Sequence, residues 1–148
     1  MSIAGDWYNE FGSHMEITPG PSGEITGTFA SNTGLAAGEY ALVGRYDTLE
    51  RADHGTAIGW TVAWRNERHN ANCVTSWSGL CFADDDTDRI CATWLLTTSA
   101  TTSDAWESTT VGWDVFTRES PGPGRIEDTV RSTGPTSHPT ATGGHHSR

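Results

Sequence analysis

Apolar and polar residues alternate with a period of two through most of this chain, and no long stripe of period 3.6 competes with them. That feature argues against a helical protein and predicts strands. Eight runs carry it, at residues 6–11, 14–18, 24–30, 39–47, 56–66, 70–82, 89–97 and 108–118, separated by turn formers such as Gly12-Ser13 and Pro19-Gly20-Pro21. The fifth run places Ile58, Trp60, Val62 and Trp64 on one face, and the sixth Cys73, Thr75 and Trp77. The seventh aligns Ile90, Ala92, Trp94 and Leu96, and the eighth sets Gly112, Asp114 and Phe116 opposite Val111, Trp113 and Val115. Successive strands joined by short turns avoid exposed edges by closing on themselves. The expectation is an all-β protein, an eight-stranded antiparallel up-and-down β-barrel over residues 1–118. A barrel of that size is filled by side chains or holds one small ligand.

Composition narrows the class. Only 34% of the 148 residues are hydrophobic, so the core is economical and leans on aromatic rings. The net charge of −10 argues against nucleic acid or an anionic membrane as partner. No apolar run approaches the ~20 residues that span a bilayer. Residues 119–148 are rich in Pro, Gly, Ser and Thr, lack periodicity, and balance three acids against three arginines. They read as a mostly disordered tail, inert or seated in the open mouth of the barrel as an internal competitor. The chain opens Met-Ser-Ile-Ala-Gly-Asp-Trp, without the features of a signal peptide. That fits either a cytosolic protein or a secreted one whose leader is absent from this sequence.

The chemistry of the inward faces is mixed. Trp64, Trp77 and Trp94 fall in strands beside small polar residues, and Trp106 falls in a loop. Asp114 shares a face with Phe116, so its carboxylate points inward and needs a partner. No Gly-x-Ser-x-Gly, His-Glu-x-x-His or phosphate-cradling loop is present, and the six histidines are scattered. The expectation is a binding protein, not an enzyme, without metal or cofactor. Asn9 and Ser13 can donate to a carbonyl oxygen, and Ser31 and Asp114 can accept from N–H groups. Tryptophan walls suit the apolar parts of a flat ligand, and a cyclic urea fits that set. Cys81 and Cys91 flank an acidic turn, and either face each other as a disulfide or pack with Cys73 as free thiols.

The chain resembles the avidin/streptavidin family. The resemblance rests on Gly5-Asp-Trp-Tyr-Asn-Glu-Phe-Gly-Ser13, Gly44-Arg-Tyr-Asp47, Gly55-Thr-Ala-Ile-Gly-Trp-Thr-Val-Ala-Trp64, Thr75-Ser-Trp-Ser-Gly79, Thr93-Trp-Leu-Leu-Thr97 and Ala105-Trp106, and runs to about Thr117. It implies biotin as ligand. Asn9 and Ser13 would serve the ureido oxygen, Ser31 and Asp114 the two ureido N–H groups, and Thr75 the ring sulfur. Trp64, Trp77 and Trp94 would line the pocket, with Phe11 and Leu96 as smaller contacts. The loop 31–39 would close over the ligand, with the Leu35 amide and the Cys73 side chain near the valerate carboxylate. Phe29 stands where the family has a tyrosine, a third donor to the ureido oxygen.

The same resemblance implies a secreted homotetramer, a dimer of dimers, in which Trp106 caps the neighbour's site and Val111 and Trp113 join a subunit contact. It suggests biotin sequestration as a defence. The alternative is the same barrel carrying another small hydrophobic ligand. A third class, a surface interaction module built on Arg45-Tyr46-Asp47, has less to support it, because Arg and Asp in a strand are commonly structural.

Overall fold

The computed structural model describes residues 2–31, 38–83, 87–126 and 136–139. Eight strands form a closed barrel, each antiparallel to the next: β1 (Gly5–Tyr8), β2 (His14–Pro19), β3 (Glu24–Ser31), β4 (Gly38–Tyr46), β5 (Thr56–Arg65), β6 (Asn70–Phe82), β7 (Arg89–Thr98) and β8 (Thr109–Thr117). No helix among the described residues is long and apolar enough to cross a membrane.

Seven strands begin and end within one residue of the sequence expectation. The exception is β1, which stops at Tyr8 and not at residue 11. The cause is local. The Asn9 side-chain oxygen accepts the backbone N–H groups of Phe11 (3.0 Å) and Ser13 (2.9 Å), which curls the chain. Gly12 completes the turn at φ +77°, a conformation that favours glycine.

The alternation is obeyed strand by strand. Ile58, Trp60, Val62 and Trp64 of β5, Trp77 of β6, and Trp94 of β7 all lie in one buried core with Trp7, Phe29, Tyr40 and Phe116. Two inward-facing glycines allow neighbouring strands to cross closely. A Cβ at Gly27 would overlap the Glu16 carbonyl, and one at Gly79 the Cys91 carbonyl. Both obstacles are backbone, which cannot rotate aside.

The ring closes thinly. Backbone pairing between β1 and β8 is confined to Tyr8 with Thr117. Side chains complete the seam. The Arg118 guanidinium donates to the carbonyls of Ser2 (2.9 Å), Ala4 (2.9 Å) and Asp6 (3.2 Å) and to the Asp88 carboxylate (3.2 Å). It also lies 3.7 Å over the Trp7 ring. On the other side of that pair, the Glu10 carboxylate accepts the Val115 N–H at 3.1 Å.

The Cys81–Cys91 disulfide does not form. All three thiols are free. Cys81 pairs with Ile90 and Cys91 with Leu80, so the two cysteines sit one register step apart and point to opposite faces. Cys81 is buried in the barrel, and Cys91 is exposed outside it.

Beyond β8 the chain turns back. Residues 123–126 form one helical turn, and the Ile126 side chain packs on Gly12. Ser137, His138 and Pro139 are buried. This stretch therefore belongs to the packed structure rather than to a solvated tail. Residues 127–135 and 140–148 lie outside those described.

Replacing Gly79 with alanine is expected to destabilise the barrel by about 1–3 kcal/mol, the usual cost of overpacking. A lowered thermal midpoint by circular dichroism would register it, and an unchanged midpoint would show that the strand crossing relaxes freely.

Candidate ligand-binding site

The stagger of the strands decides where the site lies. Because Tyr8 pairs with Thr117, the turn after β1 sits beside the middle of β8 and below the rim. That brings Asn9 and Ser13 towards Asp114, although they are more than a hundred positions apart in the sequence. All three are buried, at 1%, 2% and 1% exposure. Ser31, at the end of β3, is buried as well.

The Asn9 orientation follows from its own turn. Its oxygen is occupied by two backbone N–H groups, which leaves the amide nitrogen for the interior. That nitrogen has no hydrogen-bond partner, and neither does Asp114 Oδ1. The other Asp114 oxygen accepts the Trp77 indole N–H at 2.9 Å. A buried donor and a buried acceptor are thus both left open inside the barrel. Unmade bonds of this kind cost about 1–3 kcal/mol each.

Aromatic rings fill the same interior. Phe29 stacks on Trp77 (5.2 Å between centroids) and meets Trp64 edge-on at 5.5 Å. Tyr40, which pairs with Phe29 across β3 and β4, adds an edge contact to Trp64 at 5.1 Å. Trp94 is buried at 1% and packs over Gly112, where any side chain would strike its ring. Trp64 donates to the Thr75 hydroxyl at 2.8 Å, which fixes its indole plane. Cys73 lies on the same inward face of β6 as Thr75 and Trp77. Burial raises its thiol to about 11, so it stays protonated and neutral.

Phe11 is half-buried at the β1–β2 turn, and Leu96 packs against the core from β7. Trp106 stands apart. It lies on a 3₁₀ turn, Thr102–Glu107, and is 83% exposed, so it does not fold back on its own barrel. Leu35 and the loop at 32–37 lie outside the described residues. Arg45 and Tyr46 are structural: they donate to the carbonyls of Ser22 and Gly20, each at 2.8 Å. No cluster of three metal-ligating side chains occurs among the described residues.

Two features escaped the sequence reading. One is Glu10. Its carboxyl is pushed up to about 7, first by burial and then by repulsion from Asp114. Asp114 is raised too, mainly by burial, against the opposing influence of Ser137, Trp77, Glu10 and Asn9. Glu10 therefore keeps its proton up to about pH 7, and burial disfavours charge on both acids. The other feature is the Thr75 hydroxyl proton, which goes to the Ser137 carbonyl at 2.6 Å. Ser137 and His138 are 0% and 3% exposed, and His138 meets Phe11 edge-on at 6.3 Å. The Ser137 hydroxyl lies near enough to Asp114 to favour its charged form, yet makes no bond of good geometry.

A model of the Avidin family matches residues 1–119. The chain is 33% identical over 123 residues to avidin of Gallus gallus, covering 79% of this chain and 78% of that protein. It is 31% identical over 119 residues to afifavidin of Afifella pfennigii, covering 78% and 69%.

The raised Glu10 carboxyl has a definite consequence for stability. An acid whose folded pKa lies above its unfolded value contributes stability in full below the unfolded value, near 4.5, and loses it as pH rises through about 7. Stability should therefore fall between pH 4.5 and 7. Glu10→Gln keeps an acceptor for Val115 and removes the charge. It should raise the thermal midpoint by a few degrees at pH 8 and change it little at pH 4.5. Scanning calorimetry of both proteins at the two pH values checks this, and equal shifts at both would count against the raised Glu10 carboxyl.

Proposed function

The chain belongs to the avidin family, and on that premise we propose that it binds biotin, non-covalently and with high affinity, inside the barrel. The observation that carries the reading is the pair of orphaned polar atoms, Asn9 Nδ2 and Asp114 Oδ1, buried at the floor of an aromatic box. A cyclic urea offers an oxygen to the first and an N–H to the second. Ser13 is the second donor to that oxygen, and Ser31 takes the second N–H. Trp64, Trp77 and Trp94 sandwich the apolar ring system, with Phe11 and Leu96 as smaller contacts, and Thr75 faces the sulfur. Cys73 and the Leu35 amide serve the carboxylate end. As a neutral thiol Cys73 is a weak donor there.

Phe29 removes one hydrogen bond to the ureido oxygen, worth roughly 0.5–1.5 kcal/mol, or up to about tenfold in affinity. A carrier of some other hydrophobic molecule is the weaker reading, because a greasy ligand would leave Asn9 and Asp114 unpaired and would not repay their burial.

The assembly belongs to the same proposal. Val111 (59% exposed), Trp113 (76%) and Val115 (40%) line the outer face of β8, and Leu95 (50%) is the cross-strand neighbour of Val111 on β7. This apolar strip fits a subunit contact in a homotetramer, a dimer of dimers. Trp106, exposed on its own subunit, would cap a neighbour's site. The barrel at residues 1–118 is the binding unit. The protein acts outside the cell, sequestering biotin, and performs no catalysis.

Three measurements test this. Titration with biotin, followed by tryptophan fluorescence, should give a saturable change ending near one ligand per chain. No change at micromolar biotin would refute the ligand. Phe29→Tyr should slow biotin release up to about tenfold, in line with one added hydrogen bond. Trp106→Ala should speed release while light scattering of the parent protein returns a tetramer mass. A monomer mass would remove both the assembly and the cap.

A further inference from the structure

We propose that Glu10 positions the ligand site from the barrel seam: it ties the turn that carries Asn9 to the strand that carries Asp114, and its protonation sets how firmly the ligand is held. The proposal rests on the reading of this interior as a biotin site, and it adds a residue that the reading does not include.

The geometry comes first. Glu10 follows Asn9 in the chain, and Val115 follows Asp114. The half-buried Glu10 carboxyl accepts the Val115 N–H at 3.1 Å, across 105 positions of sequence. One side chain thus joins the two segments that present the unpaired atoms, Asn9 Nδ2 and Asp114 Oδ1. The backbone ladder does not join them, because its β1–β8 pairing is confined to Tyr8 with Thr117.

Glu10 also acts on Asp114 directly. It lies near enough to favour the charged form of that carboxylate. Only a protonated Glu10 has an O–H for this purpose. In that form one oxygen accepts from Val115 and the other donates towards Asp114. Asp114 is then kept as an ionised acceptor, with the Trp77 indole on one oxygen and the other open to a ligand N–H.

Loss of the Glu10 proton reverses this. Two carboxylates then face each other where solvation is poor, and the repulsion grows when a ligand excludes water. A ligand N–H on Asp114 favours its ionised form, so the bound state holds the Glu10 proton more tightly than the free state. Affinity is therefore full while Glu10 is protonated, and falls as pH rises above about 7. Burial lowers His138, beside Phe11, to about 4 and raises Cys73 to about 11, so neither changes charge in this range. His14 of β2 is bonded to Asp6 at 2.7 Å, and Arg118 to Asp88 at 3.2 Å beyond the Tyr8–Thr117 pair. Glu10→Gln separates all of these from Glu10 itself.

Glutamine imitates the protonated acid, with an oxygen for the Val115 N–H and N–H groups for Asp114. Alanine removes both contacts. The experiment times the release of tritiated biotin into excess unlabelled biotin, from pH 5 to pH 9, for the parent protein and both variants. The parent should release slowly up to pH 6 and about tenfold faster at pH 9. Glu10→Gln should stay slow throughout, and Glu10→Ala should be about tenfold faster than Glu10→Gln at every pH. A parent rate that is flat across the range, a Glu10→Gln rate that keeps the parent's slope, or a Glu10→Ala rate as slow as Glu10→Gln overturns the proposal.

Carbon-13 NMR of the side-chain carboxyls reads the same contact without ligand, with Asp114 assigned by its loss in Asp114→Asn. The Asp114 titration should move upward in Glu10→Ala relative to Glu10→Gln, and equal midpoints overturn the proposal. An upward shift in a protein that binds no biotin upholds the role of Glu10 and removes biotin as the ligand.

Discussion

The barrel closes on one backbone pair, Tyr8 with Thr117, and the placement of the site follows from how that gap is finished. Because β1 is short, its following turn lies alongside β8 instead of at the rim. Two side chains then take the place of missing ladder bonds. Glu10 accepts the Val115 N–H on one side of the pair, and Arg118 gathers three carbonyls and the Trp7 ring on the other. The same short strand that weakens closure brings Asn9 and Ser13 down to the level of Asp114. A fully laddered β1 would have carried them elsewhere.

Burial then sets the chemistry. Asp114 sits where a carboxylate is poorly solvated, and Ser137, Trp77, Glu10 and Asn9 around it favour its charged form against that burial. The Trp77 indole satisfies one of its oxygens, and the other is left open. Interior tryptophans supply most of the apolar contact, and one polar edge, the Trp64–Thr75 bond, fixes the orientation of a wall. Rigid rings around a few unpaired polar atoms are the features on which the proposed biotin site rests.

Most of the barrel was legible in the residues, because a period of two assigns every strand position to a face without tertiary information. Asp114, Thr75 and Trp77 all fall inside by parity alone. What depended on register was not legible. Cys81 and Cys91 look like partners across a turn until the pairing of Cys81 with Ile90 shows that they lie on opposite faces. The early end of β1 was hidden because Asn9 bonds to its own turn, a local choice that competes with an otherwise good strand pattern. Glu10 gave no signal, since its neighbour Asp114 is distant in sequence. Ser137 and His138 lie in a stretch whose composition argues for disorder, and composition carries no information about a single carbonyl that finds a hydroxyl. The candidate binding residues were marked by the family motifs more than by the physics of any one position.

The parity that separates Cys81 from Cys91 also sorts the thiols by accessibility. Cys73 and Cys81 are enclosed and held protonated by burial, each at about 11, while Cys91 stands on the outer wall beside Val115. On the single chain, Cys91 is therefore the exposed thiol of the three. It lies in the apolar strip of β7 and β8, on the opposite side of the wall from the cavity. A probe attached there would report on what touches that face and leave the interior undisturbed.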